Sequence, residues 1–404
     1  MRKISEDFLA SMEFNVSYRH NGIRHTDCYY GHRINLWRDI LPPKLLEEIQ
    51  GKQAGDQVVL DVPPATWVAA RDNRSIYEVH QRQISALSPQ ADPIVLRFGR
   101  FYPLGILRNV SGVFPNNRTP FRCISTSDDR IRADVNHPLA EKPVQFKAII
   151  RDVREKFEER GGTSVDWAET VLSGPGMQAR VNGSPTNFFA DQPFQRTDEN
   201  EDTLFYAQPR MVKHIDETAI GIIRRLYGER IRPQSDVLDL MSSWVSHLPE
   251  DLALKSLTGL GMNQRELEAN SRLTEYVVHD LNASRRLPFN DNAFDAVICT
   301  VSVEYLIHPF EVFEEISRIL KPGGIFLVTF SNRWFPPKVI KIWSELHEFE
   351  RMGLVLEFFL KSGKYKALQT YSIRGLPRPQ DDAYYSQIPF SDPVYAVWGY
   401  SNQN

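Results

Sequence analysis

From residue 210 onward, short apolar runs alternate with stretches whose apolar residues recur at helical spacing. Ile215, Ala219, Ile222, Ile223, Leu226 and Tyr227 fall on one helical face. Runs at residues 236–240, 254–260, 276–280, 294–300 and 325–330 are short and apolar, and read as strands. Residues 311–320 form a helix with Val312, Phe313, Ile316, Ile319 and Leu320 on one side, ended by Lys321-Pro322-Gly323-Gly324. Residues 354–359, 367–373 and 394–400 supply the closing strands. Strands separated by helices imply a parallel α/β sheet. Such sheets hold their ligands outside the carboxyl ends of the strands.

The first 155 residues have a different texture. The run 57–62 closes on Pro63-Pro64, and 144–150 alternates polar with apolar residues, as half-buried strands do. Residues 156–205 are poor in aliphatics and rich in Gly, Asn, Asp and Pro, which predicts a linker or wrapping segment. The expected organisation is a mainly-β (β+α) domain over 1–155, that segment, and an α/β domain over 206–404 opened by a lid helix.

Bulk properties narrow the function. A net charge of −3 over 404 residues gives no sign of nucleic-acid binding. Cys28, Cys123 and Cys299 are scattered, with no CxxC pair or His/Cys cluster, so no metal site and no disulfide framework is expected. No run of 18 apolar residues occurs and the first residues lack a signal-peptide core, so a cytoplasmic protein without membrane contact is expected.

Two segments carry a family resemblance. Leu287-Pro288-Phe289 followed by Phe294-Asp295-Ala296-Val297, and Glu315-Ile316-Ser317-Arg318-Ile319-Leu320-Lys321-Pro322-Gly323-Gly324, resemble the matching blocks of class I S-adenosylmethionine-dependent methyltransferases. The likeness covers residues 215–335 and, more weakly, the rest to 400; it is similar to a branch found in bacteria and plants. It implies a Rossmann-like, seven-stranded, doubly wound sheet with S-adenosyl-L-methionine across the strand tips. Asp239 would then bind cofactor, with Met241, Ser242 and Ser243 standing where the family has glycines. After the second strand Gly261 takes the place of the family's ribose-binding acid, and Asn263 is the nearest replacement, with capping of a helix over 264–270 as its other reading. Asp280, Leu281 and Asn282 are the adenine candidates, and Val301 packs the methyl-transfer pocket. Arg210, in the covering segment, would pair with the cofactor carboxylate. Tyr305, His214, Asp216 and His247 are the catalytic candidates, with a base needed for an oxygen or nitrogen acceptor; the other reading of the covering segment is a solvated helix start with Asp216 near its N-terminal end.

A second resemblance lies upstream. Phe98-Gly99-Arg100-Phe101-Tyr102-Pro103 and Asp134-Val135-Asn136-His137-Pro138-Leu139-Ala140 are similar to SlyD-type FK506-binding (FKBP-like) prolyl isomerases, over about residues 14–155. The opening, residues 34–41, departs from that family, so a structural role such as dimerisation or closure of the transferase site is expected. The combined reading is a methyltransferase for a small-molecule acceptor, with a thiol or sulfide suited to an aromatic pocket. Its rivals are a protein or peptide methyltransferase, with the FKBP-like domain presenting substrate, and a folding helper whose transferase half only binds cofactor. A homodimer is compatible with either half.

Overall fold

The computed structural model describes residues 2–85, 94–127, 129–155 and 161–403. The chain opens with β1 (Phe8–His20) and β2 (Ile23–Asn35), a long antiparallel hairpin. Its turn is Asn21-Gly22, both at positive φ, as a two-residue hairpin loop requires. α1 (Pro43–Ile49) and β3 (Gln57–Val62) follow. A small antiparallel sheet comes next, from β4 (Ile76–His80), β5 (Phe101–Pro103), β6 (Pro120–Thr126) and β7 (Arg130–Asp134), in the order β4-β7-β6-β5. β8 (Val144–Glu155) then returns between β1 and β3.

Residues 161–205 wrap the molecule and hold only α2 (Trp167–Leu172) and α3 (Asp202–Phe205); residues 156–160 of the expected linker lie outside the described part. Trp167, Leu172, Met177 and Phe188 are buried, so this stretch is packed along much of its length. Residues 206–216 cover the strand tips without forming the expected helix. Pro209 interrupts them, and regular helix begins only after Asp216, which caps α4 (Glu217–Gly228) by accepting from the Ala219 N–H at 3.0 Å.

The α/β half continues with β9 (Asp236–Leu240), β10 (Ser256–Gly261), α5 (Gln264–Ala269), β11 (Glu275–Val278), β12 (Phe294–Thr300), α6 (Pro309–Ile319) and β13 (Leu320–Phe330). α7 (Lys341–Glu345), α8 (Glu348–Ser362), β14 (Tyr365–Arg374) and β15 (Val394–Ser401) close it. Residues 354–359, expected as a strand, lie inside α8. That run is apolar but for Glu357 and buried on every side, and a helix buried all round has little periodicity to betray it.

Eleven strands form one sheet in the order β11-β10-β9-β12-β13-β15-β14-β2-β1-β8-β3. The first five are parallel, and β15 runs antiparallel between β13 and β14. β14 pairs with β2 in parallel, from Gln369 opposite Arg24 to Arg374 opposite Tyr29, so the N-terminal strands extend the α/β sheet. Alternate residues of β12 feed opposite faces. Ala296 and Ile298 pack with α4, whereas Val297 and Cys299 pack with α6 and α8.

The two motif blocks touch each other. Arg318 donates to the Leu287 carbonyl at 3.0 Å, the Phe289 carbonyl at 2.9 Å and Glu315 at 2.7 Å. Glu315 in turn accepts from the Leu287 N–H at 3.0 Å. Lys321 bridges Asp295 at 2.8 Å and Asp236 at 3.0 Å, at the starts of β12 and β9. These motif residues therefore brace the end of the sheet away from the strand tips.

Candidate active site

Past the carboxyl ends of β9, β10, β11 and β12, under the covering segment, lies a cavity lined by all but one of the expected site residues. The first residues beyond β9 and β12, Met241 and Val301, have φ of 57° and 48°, left-handed backbone that a β-branched valine adopts only under constraint. Both line the cavity, so each strand bends sharply where ligand space begins.

Asp239 is buried at the tip of β9. Ser242 donates to it at 2.7 Å and Ser246 at 2.5 Å. Burial pushes its carboxyl up to about 6, against the pull of those two hydroxyls. No helix follows β9, and the irregular loop 241–255 comes down on β10, with the Ser242 N–H donating to the Leu260 carbonyl at 2.7 Å. A Cβ on Gly261 would stand 2.2 Å from the Ser242 carbonyl oxygen. The glycine that permits close approach sits on β10, and the loop after β9 carries none.

That exchange explains the missing acid at 261. A carboxylate is supplied instead by Glu266, in the first turn of α5, which the sequence reading overlooked. Glu266 accepts from Ser243 Oγ at 2.6 Å and from the Arg210 N–H at 2.7 Å, and lines the cavity. Its signal was the Asn263-x-x-Glu266 spacing of a helix start. Asn263 caps α5 through the N–H groups of Arg265 and Glu266, at 3.0 and 3.2 Å, and its amide donates to the Tyr206 carbonyl at 2.8 Å, fixing the cover.

Asp280 accepts from the Asn282 and Ala283 N–H groups at 2.8 and 3.2 Å, in turn geometry, while facing the cavity beside Leu281. Asn282 bonds Asp202 at 2.8 Å and the Tyr305 carbonyl at 3.0 Å, tying three loops together. Asp202, also overlooked because it lay in the segment read as a linker, receives Arg196 at 2.7 and 2.8 Å and Lys338 at 3.1 Å. Burial opposes its ionisation, but those cations and Asn282 outweigh it and hold the carboxyl below the usual range.

Arg210 lies over the Phe205 ring at 4.4 Å and donates Nη2 to the Phe205 carbonyl at 3.0 Å. Its buried Nη1 has no partner among the described residues, although Arg210 lines the cavity. Tyr305 stacks on Phe335 at 5.9 Å, and its hydroxyl accepts from the Phe335 N–H at 2.9 Å. Burial, then the charge of Glu304, drives its phenol far above the ordinary value, so it stays protonated. His214 meets Phe335 edge-on at 5.1 Å, and burial lowers its imidazole. His247 is pushed down to about 4 by burial, then by Arg224.

Asp216 stands outside the cavity. It receives the Asp392 N–H at 2.6 Å and Ser391 Oγ at 2.9 Å, and pairs with Arg378 at 3.4 Å, both side chains being buried. Its role is to cap α4 and lock it to the loop before β15.

A family profile described as a methyltransferase domain matches residues 243–328. A ubiquinone/menaquinone biosynthesis C-methyltransferase UbiE of Bartonella quintana is 31% identical over 245 residues, covering 56% of this chain and 86% of the relative. The chain is a class I S-adenosylmethionine-dependent methyltransferase. A UbiE of Chromobacterium violaceum is 41% identical over 130 residues, 31% of this chain and 52% of the relative. A malonyl-[acyl-carrier protein] O-methyltransferase of Marinomonas is 29% identical over 79 residues, 20% of this chain and 28% of the relative. Among solved structures, a S-adenosylmethionine-dependent methyltransferase from Mesorhizobium loti aligns with a TM-score of 0.30 at 14% identity, covering 44% of this chain and 98% of that one.

The methyltransferase's cofactor is S-adenosyl-L-methionine, and the cavity suits it. Arg210 Nη1 offers an unused buried donor to a carboxylate. Asp239, Glu266 and Asp280 offer acceptors to hydroxyl and amine groups. Among the described residues no helix is long and apolar enough to cross a membrane.

Proposed function

We propose that this methyltransferase acts on a small molecule bearing an ionisable oxygen or sulfur on an apolar body. The acceptor would lie against Tyr305, Phe335, Val301 and Trp244, with His214 receiving its proton. The observation that carries this reading is the pair of imidazoles on the cavity wall, both kept neutral by burial. When bound, S-adenosyl-L-methionine supplies an electrophilic methyl group on a sulfonium. Everything else falls to the chain. Aromatic rings exclude water, Arg210 and the strand-tip acids fix the donor, and a neutral imidazole accepts the acceptor's proton as its lone pair is committed. Of the four base candidates, Asp216 is engaged elsewhere, Tyr305 holds its proton too tightly, and His247 at about 4 is a weak base at neutral pH. His214 remains.

The printed names of the relatives concern a C-methyltransferase of quinone biosynthesis and an O-methyltransferase, which supports a small-molecule acceptor. A thiol or sulfide is the second chemistry, favoured by the soft aromatic wall, and needs little base. We read the N-terminal strands as an FKBP-like unit with a structural role, supported by the pairing of β2 with β14.

Methyl-label transfer to phenols, carboxylic acids and thiols, each with native protein and His214→Gln, tests this. Transfer to a phenol should fall about 100-fold in the variant, with cofactor affinity intact, whereas a carboxylate, already ionised, and a thiol at alkaline pH should hold their rates. Unchanged transfer to a phenol in the variant would remove His214 from the chemistry.

A further inference from the structure

A second and roomier cavity, of about 530 Å³, lies where the small sheet meets residues 176–184 and the end of β1. It lies within the range of ligand sites. Five cations line it, Arg71, Arg122, Arg132, Lys142 and Arg180, against two acids, Asp134 and Glu141.

The protein neutralises only part of this charge. Arg71 pairs with Asp134 at 2.7 Å, and Arg180 makes a two-pronged pair with Glu357 at 2.6 Å. Glu141 stands exposed at the rim, next in sequence to Lys142. The other three cations make no ion pair with a carboxylate among the described residues, although Glu350 and Asp134 attract Arg122 from farther off and Glu141 attracts Lys142. Arg122 donates to the carbonyls of Gly99, at 2.9 Å, and Ala179, and lies over the Phe101 ring at 4.6 Å. Lys142 reaches His20 Nδ1 at 2.6 Å, which makes that nitrogen an acceptor and the ring neutral. His20 Nε2 then donates to the Arg180 carbonyl at 2.8 Å. Arg132 has no side-chain partner among the described residues. Burial pushes Arg122 down to about 10, against the attraction of Glu350 and Asp134, while burial and then the neighbouring cations lower His20. Burial lowers Lys142 as well, partly offset by Glu141. Arg122 and Lys142, both partly buried and neither in an ion pair, gain from an entering anion, and Arg132 faces the cavity from the exposed side.

We infer that this cavity binds a phosphate group, held by Arg122, Arg132 and Lys142. Three cations match a dianion better than a single carboxylate, and the arginine fork fits phosphate oxygens. Phe98, Phe101, Ile124 and Val181 wall the rest, so the phosphate is carried on an apolar body. None of these residues lines the strand-tip cavity, so this site is independent of the transferase reading.

Calorimetry on the full chain tests it, at low salt with S-adenosylhomocysteine saturating the strand-tip site. The probes are phenyl phosphate and pyrophosphate. Saturable binding is expected for both, tighter for phenyl phosphate. Arg132→Ala and Lys142→Ala, neither of them a fully buried side chain, should each weaken it about tenfold, while Lys44→Ala on the exposed face of α1 should not. Thermal melting of each variant verifies folding. Equal affinity for the two probes would assign the cavity to free inorganic anion and overturn the apolar part of the inference. Absence of saturable binding at about 10 mM of either probe, or binding indifferent to both substitutions, would overturn the site itself.

Discussion

The two cavities of this methyltransferase hold opposite charges and treat them differently. At the strand tips four acids, Asp202, Asp239, Glu266 and Asp280, face two cations, Arg210 and Lys213. Each acid is already engaged: Asp202 by Arg196 and Lys338, Asp239 by two serines, Glu266 by Ser243, and Asp280 by backbone N–H groups. The cavity beside the small sheet leaves three of its five cations outside any ion pair among the described residues. The first is preorganised, and its geometry is paid for by the fold before any ligand arrives. The second keeps an unbalanced field, which favours an oppositely charged guest over long range but fixes its pose less firmly.

The sharpest way to separate the cavities is Gly261→Ala. The added Cβ has no room beside the Ser242 carbonyl, so the loop after β9 must lift. We expect a loss of about 3 kcal/mol in cofactor binding, or roughly 100-fold, with phenyl phosphate binding untouched. Calorimetry with both ligands on one protein sample checks it, and parallel losses would show that the cavities are coupled.

Tyr305→Phe tests how far the preorganisation reaches into chemistry. The ring stays stacked, but the buried Phe335 N–H loses its acceptor. Turnover should fall by about 2 kcal/mol of barrier, near 30-fold, with cofactor affinity within about twofold of native on the same grounds. Tyr305→Ala should be worse, because the wall goes too. Full turnover in both would make Tyr305 a bystander.

The smallest expected effect is on pH. With Asp239 raised to about 6, its carboxylate is mostly ionised at pH 7 and mostly neutral at pH 5. Cofactor affinity should fall about tenfold over that interval, while the arginines of the other cavity stay charged. The stability term has the opposite sign. The folded value exceeds the unfolded one of about 4, so the native state takes up the proton first. The cofactor-free chain therefore gains stability from this group as pH falls from above 6 towards 4. A flat affinity profile from pH 7 to pH 5 would mean that the ionised form of Asp239 is not needed.

The sequence announced the α/β sheet and the strand-tip site because both follow from local patterns. Apolar runs of five to seven residues, with helical stripes between them, place β9 to β13 whatever the remainder does. Thirteen of the fourteen expected site residues then line one cavity, because the ends of adjacent parallel strands converge. Asp216 escaped, since its partners Arg378, Ser391 and Asp392 are remote in sequence and nothing near it signals a cap bridging two elements. Asp202 was hidden in an irregular segment. Glu266 was visible only as a helix-start residue, and its second role needed the loop after β9 to descend on β10. The blocks that carry the family likeness, around Leu287 and Arg318, brace the sheet far from the strand tips. They identified the family without pointing to a reacting group.

The register of β2 against β14 has a consequence for how the chain is made. Asp27 on β2 is buried between Ser372, at 2.7 Å, and Gln178, at 2.9 Å, and His25 reaches Thr370 at 2.8 Å. These partners are separated by as many as 345 positions. During synthesis the first hairpin leaves the ribosome long before β14 exists. Its inner edge, with a carboxylate and an imidazole that must later be enclosed, then waits in water while the intervening residues are translated. Closing so long a loop makes late docking the slow step of folding. The polar character of that edge is what keeps the waiting hairpin soluble, since an apolar edge left open so long would pair with its neighbours on other chains.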